Sequence, residues 1–305
     1  MHPGLAELLR LLELERLEIN IFRGVSRDIG SPQVFGGQVL GQGLRAAYDT
    51  VEPDRIAHSL HAYFLRRGDF NAPIVYFVDR SRDGASFTSR RVTAIQHGEQ
   101  IFHMSASFQV DQPGVEHQIA MPDVPPPESL RESDPVPKAA LDALPEKTRR
   151  QYASARPFEF RIVERVDPMH PKNAPPVQHI WMRAIDRLPD DDMLHRCLLA
   201  YVSDFYLLKT ATLPHAELLM SGKRFLASID HAMWLHRPMR VDEWFLCSYD
   251  SPGAAGSRGF SRGSVFTRDG RLVASTAQEG LMRVSGAVKF LSRRYSYGQP
   301  IFFRS

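Results

Sequence analysis

The chain has 305 residues, 43% hydrophobic and 24% charged, the composition of an ordinary globular protein long enough for two cores of typical domain size. Its 38 Lys and Arg against 35 Asp and Glu leave a net charge of +3, too balanced to mark a nucleic-acid-binding protein. The two cysteines, Cys197 and Cys247, sit among apolar residues without CxxC or Cys/His spacing, so neither a disulfide framework nor a zinc site follows, and a reducing compartment is expected.

The first stretch, MHPGLAELLRLLELERLE, sets Glu7, Arg10 and Glu13 inside a leucine pattern, as an amphipathic helix does and a signal-peptide core does not. No uninterrupted apolar run reaches the roughly 20 residues of a membrane span, so a cytoplasmic protein is expected. Residues 17–26 (LEINIFRGVS) alternate as a strand and end at the turn-rich 27–32. In VFGGQVLGQGLRAAYDTV, Gly36, Gly37, Gly41 and Gly43 lead into a helical pattern, but the spacing is not GxGxxG and no Walker lysine accompanies it. These glycines read as close-packing positions on a helix wrapped by a sheet, with backbone N–H donors at its start. Strand-like runs at 58–67, 72–80, 87–97 and 100–110 follow. One helix with consecutive strands predicts an α+β fold with an antiparallel sheet.

Residues 112–150 turn rich in proline and charge and read as a linker between an N-terminal unit, 1–111, and a C-terminal unit, 151–285; residues 286–305 form a basic tail. Beyond the linker the first pattern returns: strands at 157–164 and 179–185, a helix around Asp204, then strands at 224–237, 243–250, 259–268 and 271–283. The segment His61–Arg67 lies over His231–Arg237 at an offset of 170, with four of seven positions identical. Gly84 and Ser89-Arg90 match Gly256 and Ser261-Arg262 at 172, and Ala106 matches Ala277 at 171. A nearly constant offset is the trace of a duplicated domain. On that alignment His61 and His231 hold equivalent structural roles, and Ser107 falls at the place of Gln278.

Asp204 is the single carboxylate in the apolar stretch 197–212, CLLAYVSDFYLLKTAT. With Leu198, Tyr201, Phe205 and Leu208 on one helical face, it lies at the edge of the apolar stripe. Two readings stay open: a local cap, with Ser203 and Asp204 opening a helix at Phe205, or a buried carboxylate with a chemical role. Asp230 and His231 are strand neighbours on opposite faces and make no dyad, and His58 with His61 makes no metal pair, so no metal is expected.

The motifs FGGQVLGQGLRAA, SLHAYFLRRGD, DGASFTSRRV, YVSDFYLL, SIDHAMWLHRP, SRGFSRG and LVASTAQEGLMR resemble those of the type II (TesB-like) acyl-CoA thioesterases, from about Leu14 to Arg283. The resemblance implies a double hotdog, two repeats each with an antiparallel sheet wrapped around a central helix. It implies hydrolysis of acyl-CoA to free fatty acid and CoA by a water held by a carboxylate, an amide and a hydroxyl, carried here by Asp204, Gln278 and Ser228. Serine stands at 228 where many relatives carry threonine, which keeps the hydroxyl and loses a methyl. No cofactor is implied, and a homo-oligomer is expected.

A thioester needs a positioned water, a base and an oxyanion site, and the N–H groups near Gly36 and Gly37 are the oxyanion candidates. No GxSxG is present to supply a nucleophilic serine. Arg66, Arg67, Arg90, Arg91, Arg258 and Arg262 are candidates for the CoA phosphates. Two other readings remain: a silent acyl-CoA-binding module, and a hotdog enoyl-CoA hydratase, whose Asp/His motif is not intact here.

Overall fold

The computed structural model describes residues 1–29, 33–131, 156–165, 172–221 and 223–285. The chain opens with α1 (Pro3–Leu12), shorter than the leucine pattern suggests, with Pro3 in the first turn and Leu5, Leu8, Leu11 and Leu12 buried on one face. The expected first strand is a hairpin, β1 (Glu15–Glu18) and β2 (Ile21–Gly24). Helix α2 (Gly36–Tyr48) follows, buried on almost every side, then β3 (Ile56–Phe64), β4 (Ile74–Asp83), β5 (Phe87–Gln96) and β6 (Glu99–Gln109).

The second half repeats this plan. It contains β7 (Phe158–Ile162), β8 (Val177–Ala184), α3 (Asp192–Ser203), α4 (Leu207–Thr212), α5 (Ala216–Ser221), β9 (Lys223–Ser228), β10 (Asp230–Leu235), β11 (Phe245–Ala255), β12 (Arg258–Thr267) and β13 (Leu272–Ser285). All strands join one antiparallel sheet in the order β1-β2-β4-β5-β6-β3-β10-β13-β12-β11-β8-β7, with β9 also paired to β13. The order reads the same outward from the β3/β10 pair in both directions. This is the double hotdog, with α2 and α3 as its central helices.

Glycines set how closely those helices approach. A Cβ at Gly37 would stand 2.1 Å from the Tyr201 carbonyl oxygen, and one at Gly41 3.1 Å from that of Cys197. Backbone therefore rests on backbone where α2 crosses α3, as the glycine-rich start of α2 suggested.

The strand register refines the repeat. One row runs across the first half through Asp79, Arg91, Ser105 and His61. The matching row in the second half runs through Asp250, Arg262, Ala277 and Ala232. His61 and Ala232 are direct partners where the halves join. The structural counterpart of His61 is thus Ala232, and that of His231 is Leu60. The expected equivalence of His61 and His231 is overturned, because one residue of slip moves a strand side chain to the other face: His61 is exposed on the outer face and His231 buried on the inner. The same slip makes Ala106, not Ser107, the counterpart of Gln278: Ser107 pairs with Ser59 and Ser89 and shares their face, while Ala106 and Gln278 point inward. Likewise Arg90 points inward and Arg262 outward, despite their sequence match.

Described residues of the 112–131 stretch pack against the second half. Met121, Val124 and Leu130 cover Trp181, Trp244, Leu246 and Phe266 on the sheet's outer surface. Gln118 bonds the backbone of Gly270 and Leu272, Trp181 Nε1 donates to the Pro125 carbonyl, and Arg161 reaches the carbonyls of Pro127 and Leu130. The remainder of the expected linker, 132–150, and the basic tail, 286–305, lie outside the described residues. Cys197 and Cys247 are buried free thiols, and burial pushes the Cys247 thiol up to about 12. Among the described residues no helix is long and apolar enough to cross a membrane.

Candidate active site

Helix α3 stops at Ser203 and Asp204 is its C-cap, because Tyr206 takes a left-handed backbone (φ 66°) that breaks the run before α4. One continuous helix through Asp204 is therefore not formed. Nor does Asp204 open a helix at Phe205: α4 begins at Leu207, and its N-cap, Tyr206, makes no side-chain cap bond. The break turns the carboxylate toward the start of α2.

Three donors converge there. The Gly37 backbone N–H donates to Asp204 Oδ2 at 3.0 Å, the Gln278 amide donates from Nε2 to Oδ1 at 2.7 Å, and the Ser228 hydroxyl donates to the same carboxylate. Gln278 comes from β13 and Ser228 is the last residue of β9, its register partner there being Gly280. The structure thus gathers the three side chains that sequence reading singled out, Asp204, Ser228 and Gln278, from successive separations of 24 and 50 residues along the second half. The first repeat's helix supplies the fourth member of the cluster, the Gly37 N–H.

Burial raises the Asp204 pKa to about 6, against the opposing pull of Gln278, Gly37 and Ser228. The N-terminus of α2 adds favourable partial charge and keeps ionisation within reach near neutrality. Asp204 and Ser228 line a cavity of about 270 Å³ whose wall mixes polar groups, Gln33 and Arg66 among them, with apolar side chains: Val34, Phe35, Val39, Phe64, Ile101 and Phe102 from the first half, Leu208 and Leu226 from the second. Gly36 lies in the same wall. Of the two oxyanion candidates, Gly37 spends its N–H on Asp204. Gly36 is the first residue of α2, where helical N–H groups lack an intrahelical acceptor.

Gln278 is 0% exposed and stands behind Asp204, outside the cavity wall. Its Nε2 also lies 3.3 Å from His231 Nδ1, and His231 Nε2 lies 3.0 Å from Ser203 Oγ. Sequence reading gave His231 a structural role and Ser203 a helix cap, and joined neither to Gln278. The available signal was strand alternation, which turns His231 inward while Asp230 accepts the Glu279 backbone N–H at 2.6 Å.

The candidate arginines separate. Arg66 lines the cavity, donating to the Gln100 carbonyl and pairing with Glu99 at 2.9 Å, and Arg67 stacks over the Phe225 ring at 5.1 Å. Arg91 is exposed on β5 opposite Asp79. Arg258 pairs with Glu279 and Arg262 with Asp250. Arg90 is 2% exposed, and its three nitrogens donate to Thr50, Arg82, Ser89 and Asp83. A guanidinium so committed is a core brace, not a phosphate ligand.

In the first repeat the corresponding chemistry is absent. Asp49 caps α2 as Asp204 caps α3, but it is paired with Arg45 of its own helix at 2.9 Å, and Leu60 and Ala106 stand where the second repeat has His231 and Gln278.

Comparison with known proteins agrees with this architecture. Residues 25–109 match the acyl-CoA thioesterase N-terminal domain family and residues 148–281 the acyl-CoA thioesterase family. The chain is 42% identical to acyl-CoA thioesterase 2 of Haemophilus influenzae, over 93% of this chain and 100% of that one. It is 40% identical to human acyl-coenzyme A thioesterase 8, over 91% and 89%. The crystal structure of acyl-CoA thioesterase II TesB2 from Mycobacterium marinum superposes with a TM-score of 0.76 at 44% identity, covering 92% of this chain and 99% of that one.

Proposed function

The chain belongs to the type II acyl-CoA thioesterase family, whose members are hydrolases, and we propose that it cleaves acyl-CoA with a water activated by Asp204 and Ser228, Gln278 holding Asp204 in place. The observation that carries this reading is the Asp204 carboxylate, held by three donors in the wall of a cavity that also presents apolar side chains.

Above about pH 6 Asp204 is ionised and accepts a proton from a water that its carboxylate and the Ser228 hydroxyl orient. The water oxygen bonds to the thioester carbon, and the carbonyl oxygen takes up charge near the Gly36 N–H and the positive end of α2. Collapse breaks the C–S bond, and the proton held by Asp204 is returned to the departing thiolate. The apolar side chains of the wall suit the acyl chain, and Arg66 and Arg67 suit the phosphates of CoA. His231 lies behind Gln278, buried and outside the cavity lining, which weighs against a hydratase.

The test is release of free CoA thiol from acyl-CoAs of graded chain length, for the wild type and Asp204→Asn together. Turnover by the wild type that falls by about a thousandfold or more in the folded variant is expected. Binding of acyl-CoA without release by the wild type would instead establish a silent binding module.

A further inference from the structure

Resting on the reading of Asp204 as the base, we propose that His231 and Ser203 are positioning residues that lock the Gln278 side chain with its N–H groups toward Asp204.

Gln278 Nε2 carries two hydrogens and has two acceptors in reach, Asp204 Oδ1 at 2.7 Å and His231 Nδ1 at 3.3 Å. For Nδ1 to accept, the imidazole must be the neutral tautomer with its proton on Nε2. That proton has its acceptor in Ser203 Oγ at 3.0 Å, and the Ser203 hydroxyl donates in turn to the Ala200 carbonyl at 2.9 Å. The donors therefore run one way, from amide to imidazole to hydroxyl to a helix carbonyl.

The direction matters during turnover. An ionised Asp204 by itself favours the N–H side of the amide, but once Asp204 has taken the water's proton that preference disappears and a free amide could turn its oxygen inward. His231 Nδ1 offers only a lone pair, so it holds the amide through the protonated state and returns Asp204 to the same donor. The first repeat shows that the fold itself does not demand this: its counterparts of His231 and Gln278 are Leu60 and Ala106, both buried in the sheet's inner face.

Few other groups near Asp204 titrate. Tyr201 on α3 and Tyr249 on β11 are held above their ordinary values, by burial first and by the charge of Asp204 as a smaller contribution. Arg66 stands on the cavity wall, and α2 presents a backbone N–H. His231 itself is held neutral by burial, its pKa depressed to about 3.

The experiment compares the wild type, Asp204→Asn, His231→Leu and His231→Asn by kcat and KM across pH, and by 13C NMR titration of the Asp204 carboxyl, assigned by its absence in Asp204→Asn. Leucine is the residue of the first repeat at this place, and the asparagine oxygen can stand where Nδ1 stands. His231→Leu is expected to fold, to keep KM within about twofold and to lose about tenfold or more in kcat. Its Asp204 midpoint should rise by about one unit as the Gln278 donor is lost. His231→Asn should recover most of both. A folded His231→Leu with unchanged kcat and midpoint overturns the proposal, as does a His231→Asn as impaired as His231→Leu. If wild-type hydrolysis proves independent of Asp204, the base reading fails and the NMR midpoint alone decides the lock: a rise in His231→Leu upholds it, a constant midpoint overturns it.

Discussion

Gly37 and Asp204 meet where the first repeat's helix begins and the second repeat's helix ends, the backbone N–H of one donating to Oδ2 of the other across 3.0 Å. The bond is possible because residue 37 has no side chain. A Cβ there would lie 2.1 Å from the Tyr201 carbonyl oxygen, a backbone atom that cannot swing aside. Gly37→Ala should therefore push α2 from α3 and cost on the order of 3 kcal/mol of stability, read by denaturant unfolding. Gly36→Ala is the more informative variant. Its Cβ would meet Asp204 Oδ2 at 2.7 Å, so it should displace the carboxylate and lower kcat by roughly 10- to 100-fold, with a smaller loss of stability.

The raised Asp204 pKa gives a pH signature. The acid limb of kcat/KM should fall with a midpoint near 6, because protonated Asp204 cannot accept from water. Stability carries the same information with a definite sign. The folded pKa lies above the unfolded value, so folding costs nothing extra below about pH 4, and the cost grows as pH rises through 6. Relative to the wild type, Asp204→Asn should thus gain up to about 3 kcal/mol between pH 4 and pH 8. Melting curves of both proteins at the two pH values check this. A helix cap would behave otherwise, losing about 1 kcal/mol at either pH.

The fold was largely readable because its signals are local. Strand alternation, the glycine-rich opening of α2 and the repeat of one strand-rich pattern pointed to two α+β units with antiparallel strands, and the motif resemblance supplied the double hotdog. The trio Asp204, Ser228 and Gln278 came from motif resemblance, since a polar residue in a strand pattern carries no sign of which buried neighbour it meets. What sequence could not supply was register. A one-residue slip leaves the words alike but reverses the faces, so His61 was aligned with His231 and Ser107 with Gln278 although neither pair shares a side of the sheet. The helix break after Asp204 was hidden for a different reason: it depends on a left-handed Tyr206, a residue without the usual preference for that conformation.

Ser228 separates a hydroxyl effect from a packing effect. Ser228→Ala removes a donor to Asp204 while leaving Gln278 and Gly37 in place. It should lower kcat by about 10- to 100-fold with little change in melting temperature. Ser228→Thr restores the hydroxyl with one added methyl beside the cavity, and should recover activity to within a few-fold. Steady-state rates of the three proteins on one acyl-CoA decide between these outcomes.

The arginines give the last contrast, because similar sequence settings lead to opposite environments. Arg66 lines the cavity with its side chain half in solvent, already sharing its charge with Glu99, and Arg67 lies over Phe225. Neither would leave a buried partner orphaned by turning to a phosphate. Arg66→Ala and Arg67→Ala should therefore raise KM for acyl-CoA several-fold at low salt, with the difference shrinking as ionic strength rises and kcat nearly unchanged. Arg90→Met should do the reverse. Its guanidinium ties the end of α2 to β4 and β5 through Thr50, Asp83 and the carbonyls of Arg82 and Ser89, and removing it leaves buried acceptors unpaired. A loss of about 3 kcal/mol or more is expected, without a salt-dependent change in KM for the protein that remains folded. Kinetics at two ionic strengths beside thermal melts test all three variants. A salt-sensitive KM in Arg90→Met, with stability intact, would return that arginine to the substrate site.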